Sequence, residues 1–332
     1  MTVKIAINGL GRIGRSIIRA LVETGRKDIE IVAINGPAPI ETHVHLLKYD
    51  SVHGPFHGEV KAVTGGIDVG RGVMRLTHER EINNLDWSGI DVVLECSGKF
   101  TKRAIAALHL ARGAKKVLIS APAADADVTI VYGVNNKVLK PEHQVISVGS
   151  CTTNCLAPVA QVLQRTVGIE NGFMTTIHSY TGDQNLVDSS HNDLRRARAA
   201  AMSLVPTSTG AAKAIGAVLP ELEGRLNGIA IRVPTPNVSL MDLTFLAAKD
   251  TDSDEINNAI IAAASKGALK GVLAVSDEPL VSIDFNHHRA SSIVDLSGTY
   301  VTGKRFCRVG AWYDNEWGFS CRMLDVAKLV TT

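Results

Sequence analysis

Cys151 lies in the segment ISVGSCTTNCLAP and His178 near the end of FMTTIHSY. A thiol and an imidazole together can form and release a covalent bond to a carbonyl carbon, the sulfur attacking and the ring taking the proton. The strand-like stretch Gln144 to Val148 ends at Gly149, and CLAPVAQVLQ has helical content, so Cys151 falls at or just before a helix's first turn. The positive helix end there favours a thiolate and predicts a pKa below the ordinary value of about 8.5. The β-rich run Phe173 to Tyr180 places His178 near a strand's end, as a candidate general base.

Cys155 follows one turn later on the same face. Side chains at that spacing hold their Cβ atoms about 5 to 6 Å apart, whereas a disulfide needs about 3.8 Å. A zinc site would require a second ligand pair. Cys96, Cys307 and Cys321 supply none, and neither His43 and His45 nor the adjacent His287 and His288 share a face. No metal is expected, and the other four cysteines read as packed thiols.

The elements that must position these residues begin with Val3 to Asn8, a buried strand. Gly9-Leu10-Gly11-Arg12-Ile13-Gly14 and the helical RSIIRALVET follow, and Gly25 stops the helix. Three glycines in a strand-to-helix turn allow the tight turn, close approach of a pyrophosphate, and close packing of helix on strand. The helix start supplies the positive end for phosphates. Strands Glu30 to Asn35, Asp91 to Glu95 and Lys116 to Ser120 alternate with helices Glu41 to Lys48 and Lys102 to Arg112. That alternation predicts an α/β Rossmann fold, a doubly wound, mainly parallel sheet. Asn35, Cys96-Ser97-Gly98 and Ser120-Ala121 then lie beside the crevice at the strands' carboxyl ends. An acid usually ends the second strand to hold a 2′-hydroxyl; here the chain reads Asn35-Gly36-Pro37, which leaves the choice between NAD and NADP open. Arg26 and Lys27, before that strand, are not obviously placed to hold a 2′-phosphate.

The second half reads as α+β with a mostly antiparallel sheet. Asn227 to Val233, Val238 to Lys249, Ile293 to Asp295 and Arg305 to Tyr313 are its predicted strands, with Met241, Leu243 and Phe245 on one face. A capped helix is expected over Asp252 to Gly267. At 332 residues two domains are natural. A net charge of +2, with 45% hydrophobic and 20% charged residues, gives no broad field for nucleic acid or an acidic membrane, so neither is an expected partner. MTVKIAINGLGRIG enters a strand pattern without a signal-peptide stretch, and no segment is apolar long enough to span a bilayer, so a cytoplasmic location with reduced thiols is expected.

Taken together these residues resemble the phosphorylating glyceraldehyde-3-phosphate dehydrogenase family, almost end to end. The likeness runs through NGLGRIGR, HLLKYDSVHG, SCTTNC, HSYTGDQ, DLRRARAAA, PTSTGAAKA, RVPTPNVS and WYDNEWG, in that order. It implies a homotetramer with a Rossmann domain over residues 1–150, a catalytic domain over 151–314, and a C-terminal helix, 315–332, returning to the first domain. It implies oxidation of glyceraldehyde 3-phosphate to 1,3-bisphosphoglycerate through a Cys151 thiohemiacetal and thioester, with His178 as base and inorganic phosphate as co-substrate. By the same likeness Thr181 and Arg232 hold the substrate phosphate, and Ser150, Thr152, Arg196, Thr209 and Gly210 the attacking one. Gly9, Gly11 and Gly14 with Arg12 and Ile13 face the pyrophosphate, Arg80 and Ser120 the adenosine side, and Asn315 the nicotinamide carboxamide.

The sequence departs from the family where NAD-specific members carry Asp, at Gly36, and at Ser189-Ser190, where strictly NAD-dependent members often have Leu-Pro. In the family that second loop reaches the adenosine end of a neighbouring subunit's cofactor. Both departures predict NADP use beside NAD, or at least a weakened preference for NAD. Two alternative readings are an erythrose-4-phosphate dehydrogenase, which would differ in aldehyde preference and phosphate dependence, and a non-enzymatic binding protein using Arg195, Arg196 and Arg198.

Overall fold

The computed structural model describes residues 2–332, in two compact units. Among the described residues one comprises 2–132, 136–150 and 319–332, the other 133–135 and 151–318.

The first unit carries a nine-stranded sheet. Its parallel part contains β1 (Val3–Asn8), which leads into helix α1 (Arg12–Glu23), and β2 (Ile29–Asn35), which leads into α2 (Ile40–Lys48). A two-residue ladder, β3 (Tyr49–Asp50) with β4 (Gly54–Pro55), follows. Then come three strands that periodicity does not predict: β5 (Lys61–Val63), β6 (Gly66–Asp68) and β7 (Val73–Thr77), antiparallel to one another, with β7 joining the sheet parallel to β2. β8 (Val92–Glu95), β9 (Lys116–Ile119), β10 (Val128–Thr129) and β11 (Val145–Ser147) complete the order β10-β11-β9-β8-β1-β2-β7-β6-β5. β1, β8 and β9 are mainly apolar and, apart from Lys4 and Lys116, buried on both faces, as parallel strands under helices are. The helix expected over Lys102 to Arg112 is two short helices instead, α3 (Arg103–Ala106) and α4 (Leu108–Ala111). A tight bond from Leu110 N to Ala107 O marks the joint, and beside it His109 is drawn fully into the interior.

The second unit begins with α5 (Cys151–Thr166) and carries a seven-stranded sheet in the order β13-β14-β12-β15-β18-β17-β16. The strands are β12 (Ile169–Ser179), β13 (Val205–Ser208), β14 (Leu226–Val233), β15 (Ser239–Ala247), β16 (Leu273–Ser276), β17 (Ser292–Thr302) and β18 (Phe306–Tyr313). Only β12 with β14 and β16 with β17 pair in parallel. Met241, Leu243 and Phe245 are buried on one face of β15, as their alternation predicts. A short helix, α6 (Ala211–Ala214), precedes β14. Helix α7 (Ser253–Ser265) is capped by Asp252, whose side chain accepts from Glu255 N at 2.8 Å.

From Phe319 onward the last helix, α8 (Trp317–Leu329), belongs to the first unit, where Arg26 Nη1 meets Asp325 Oδ1 at 2.6 Å. Arg26 is thereby committed to Asp28 and Asp325. Among the described residues no helix is long and apolar enough to cross a membrane.

Candidate active site

In the first unit the turn after β1 is forced by its glycines. Gly9 has φ +104°, and a Cβ there would stand 2.5 Å from Ser97 N; a Cβ on Gly14 would stand 2.1 Å from Gly9 O. The turn is therefore pressed onto β8 and α1 onto the turn, whereas Gly11 has nothing within 4 Å of its Cβ position. Helix α1 starts with no acidic residue in its first turn and no side-chain cap, which leaves its positive end available to an anion.

A cavity of about 560 Å³ opens here, and Gly9, Gly11, Asn35 and Arg80 are among its lining residues. Its open glycine face and uncapped helix start suit the pyrophosphate of a dinucleotide. Ile13 is half-buried on α1, and Ser120 sits at the end of β9 with its N–H donating to Glu95 O at 3.0 Å. The Arg12 guanidinium grips Asp50 with both nitrogens, at 2.5 and 3.1 Å. Burial alone would push the Asp50 carboxyl up, but this pair and the Val52 and His53 N–H groups hold it well below the usual range.

Beneath the crevice runs a buried network that the sequence did not disclose. Trp87 Nε1 donates to His109 Nδ1 at 2.8 Å, which fixes the neutral ring with its proton on Nε2, 2.9 Å from Glu95 Oε2. Asn8 Nδ2 donates to the same carboxylate oxygen at 2.6 Å, and Asn35 Nδ2 to Asn8 Oδ1 at 2.8 Å. Glu95, at the end of an otherwise apolar strand, was the one visible signal.

In the second unit Cys151 is the first residue of α5 and His178 the penultimate residue of β12. Cys151 Sγ lies 3.5 Å from His178 Nε2. On the other side of the ring, Nδ1 lies 2.7 Å from Ser179 O, an arrangement that puts the proton on Nδ1 and the lone pair on Nε2, toward the sulfur. Arg232 Nη1 stands 3.1 Å from both His178 Nδ1 and Ser179 O, and 3.3 Å from Thr181 Oγ1. With Nδ1 already protonated, Arg232 bonds the carbonyl and hydroxyl, and its charge opposes a second positive charge on the ring.

Burial, followed by the field of Arg232, pushes the His178 pKa down to about 3. The expectation of a readily ionised Cys151 in the free site is corrected here: burial pushes its thiol up, against the opposing pull of Arg232 and the Thr152 hydrogen bonds. Enclosure of the sulfur outweighs these stabilising neighbours. Near neutral pH the resting pair is a thiol beside a neutral imidazole. Cys155 is fully buried against Ser292, its pKa pushed up to about 12, and it is inert by comparison.

The remaining predicted residues fall into distinct settings. The Thr152 hydroxyl is turned to Tyr313 Oη at 2.9 Å, and Tyr313 also meets Thr176 Oγ1 at 2.7 Å. Arg196 is held by Asp183, by Thr207 Oγ1 at 3.0 Å and by Ser208 O at 3.3 Å. Thr209 Oγ1 accepts from Ala211 N at 3.2 Å, and Gly210 immediately precedes α6. Asn315 is buried, its Oδ1 accepting from Ser179 at 2.9 Å and Ser239 at 3.1 Å. Ser150 is half-buried and closes the first unit's segment 136–150. Tyr313 and the Ser179 carbonyl are the parts of this site that sequence reasoning missed.

Residues 150–315 match the family model described as the C-terminal domain of glyceraldehyde 3-phosphate dehydrogenase, and residues 3–103 match the one described as its NAD binding domain. A glyceraldehyde-3-phosphate dehydrogenase of Xanthobacter flavus is 61% identical over 329 residues, covering 98% of each chain. The chain belongs to the glyceraldehyde-3-phosphate dehydrogenase family. Relatives of the same name from Cereibacter sphaeroides and Geobacillus stearothermophilus are 58% and 52% identical, covering 98% or more of each chain. A member of this family is an oxidoreductase, and these matches do not favour the erythrose-4-phosphate reading.

Proposed function

We propose that the protein oxidises D-glyceraldehyde 3-phosphate to 1,3-bisphosphoglycerate with inorganic phosphate, using NAD and also NADP. The observation that carries this reading is the 3.5 Å approach of Cys151 Sγ to an imidazole nitrogen whose lone pair is fixed toward it. Sγ attacks C1 of the aldehyde as its proton moves to His178 Nε2 and on to the C1 oxygen, giving a thiohemiacetal. When bound, the nicotinamide cofactor supplies an acceptor for the C1 hydride. His178 Nε2 takes the hydroxyl proton in that step, and a thioester remains on Cys151. An oxygen of inorganic phosphate then adds to the thioester carbon, and Cys151 leaves as a thiolate that takes the proton back from His178 Nε2 while the phosphate's own proton passes to solvent, restoring the resting thiol and neutral ring.

Each half of the oxidation needs the ring neutral first and cationic afterwards. In the free site Arg232 resists the cation; a dianionic substrate phosphate bound by Arg232 and Thr181 would offset that charge and raise the ring's basicity when it is needed. Ser150, Thr152, Arg196, Thr209 and Gly210 are assigned to the attacking phosphate. Gly9, Gly11, Arg12, Ile13 and Gly14 are assigned to the pyrophosphate, Asn35, Gly36, Arg80 and Ser120 to the adenosine side, and Asn315 to the carboxamide.

A cytoplasmic homotetramer is the proposed form. Leu186, Val187, Leu194, Met202 and Leu204 are all strongly exposed in one segment of the isolated chain, as a surface meant for another subunit would be. Light scattering should then report four times 35.4 kDa. The deciding assay is steady-state oxidation of glyceraldehyde 3-phosphate with NAD and NADP in parallel, with phosphate present or omitted. Turnover undiminished without phosphate would reject the phosphorylating mode, and a preference for NAD above about a thousandfold, ~4 kcal/mol, would reject dual use.

A further inference from the structure

Gly36 is the first residue after β2, where an acid commonly selects a 2′-hydroxyl. Its backbone is not in the left-handed region, so conformation alone does not require glycine. What closes the position is a side chain from α2: a Cβ on Gly36 would stand 2.7 Å from His43 Cε1 and 2.8 Å from His43 Nε2. The imidazole thus occupies the space into which the missing carboxylate would grow.

His43 is 4% exposed and lines the 560 Å³ cavity together with Asn35, Pro37, Ala38 and Arg80. Its Nε2 has no partner in hydrogen-bonding geometry, although the Gly36 and Ala38 backbone lies near enough to favour the charged ring. A buried ring nitrogen left without a partner is destabilising, a loss that a ligand atom could recover.

We propose that His43 reads the 2′ position of the cofactor's adenosine ribose in place of an acid, and that it admits both a 2′-hydroxyl and a 2′-phosphate. The inference rests on the reading of this cavity as the dinucleotide site. A carboxylate can only accept, so it favours the hydroxyl and repels the phosphate. A neutral imidazole nitrogen accepts in one tautomer and donates in the other, so it can serve either group. Burial lowers the His43 pKa, followed by the nearby charges of His78 and Arg15, which keeps the ring neutral in the free site.

The surroundings do not replace it. The His78 ring stacks 6.5 Å from that of His43, with its Nδ1 2.8 Å from Ala38 O and 3.2 Å from Gly36 O, so it braces the turn. Arg80 adds positive charge to the lining, but Glu79 and Glu81 line the same cavity. Selection at the 2′ position therefore falls to the hydrogen bond from His43.

The test is calorimetric binding of 5′-AMP and 2′,5′-ADP to the full-length wild type and to His43→Leu and His43→Gln, alongside kcat/KM for NAD and NADP. His43→Leu is expected to weaken 2′,5′-ADP about tenfold or more and 5′-AMP only about threefold, because a bond to a charged group is worth more than one to a neutral group. His43→Gln, whose amide can also donate and accept, should keep both affinities within about threefold of wild type. A Gly36→Asp/His43→Ala pair, which clears the space and restores an acid, should shift the kcat/KM ratio toward NAD by about a hundredfold, ~2.7 kcal/mol. Equal losses of both nucleotides in His43→Leu, or no loss, would overturn the role of His43 while leaving the dehydrogenase reading intact. A wild type that binds neither nucleotide would overturn the dinucleotide site itself and the inference with it.

Discussion

Sγ of Cys151 and Nε2 of His178 face each other across 3.5 Å although they arise from a helix start and a strand end. The Ser179 carbonyl, 2.7 Å behind the ring, keeps the lone pair on the sulfur side. His178→Asn removes the proton acceptor while leaving a side chain of similar bulk, and should lower kcat by about 10²- to 10⁴-fold. Cys151→Ser should abolish the burst of reduced cofactor in single-turnover mixing. A His178→Asn enzyme retaining more than a third of its kcat would refute the base assignment.

The His178 pKa of about 3 makes acid stability a second readout of the same ring. An unfolded histidine binds its proton near pH 6.5, and the folded one does not until about pH 3. Between those values the unfolded state holds more protons, so stability falls as pH drops below 6.5, by at most ~1.4 kcal/mol per unit from this group. The lowered pKa values of His43 and His288 act with the same sign. Urea unfolding of His178→Asn at pH 5 and pH 7 should show a smaller acid loss than wild type. An identical acid loss would contradict the buried neutral imidazole.

Two arginines are assigned to two phosphates, and kinetics can separate them. Arg232 stands beside His178 and Thr181, whereas Arg196 is tied to Asp183 and Thr207. Arg232→Ala should raise KM for glyceraldehyde 3-phosphate by about a hundredfold, the scale of a lost charge-assisted fork of ~3 kcal/mol. Arg196→Ala should act mainly on KM for inorganic phosphate. If Arg232→Ala changed only the phosphate KM, the two assignments would have to be exchanged.

Where a local pattern governs structure, the sequence was readable. The glycine turn at residues 9 to 14 and the alternation Met241, Leu243, Phe245 each report one element's own packing, and both elements form as expected. The three strands over residues 61–77 are not legible in the sequence because they are three to five residues long, separated by Gly65 and Gly70, with Val73 exposed. The ionisation of Cys151 was misjudged because a helix start is local, whereas enclosure of the sulfur depends on chain folded from elsewhere. Tyr313 escaped notice for the same reason: its partners Thr152 and Thr176 lie 161 and 137 positions away.

Glu95 tests whether the hidden network under the crevice is structural support for the cofactor turn. Its carboxylate is 1% exposed and accepts from Asn8, from His109 and from Ser97 N at 2.8 Å. Glu95→Leu would strand those donors in the interior, at about 1 to 3 kcal/mol for each that finds no water. Glu95→Gln keeps one acceptor but turns an amide N–H₂ toward groups that themselves donate, so it should lose about half as much. Both losses should appear in urea midpoints, and cofactor affinity should fall with them because Asn8, Ser97 and Asn35 all border the cavity. Glu95→Leu with an unchanged midpoint would mean that water satisfies these donors, and that the carboxylate does not hold the turn in place.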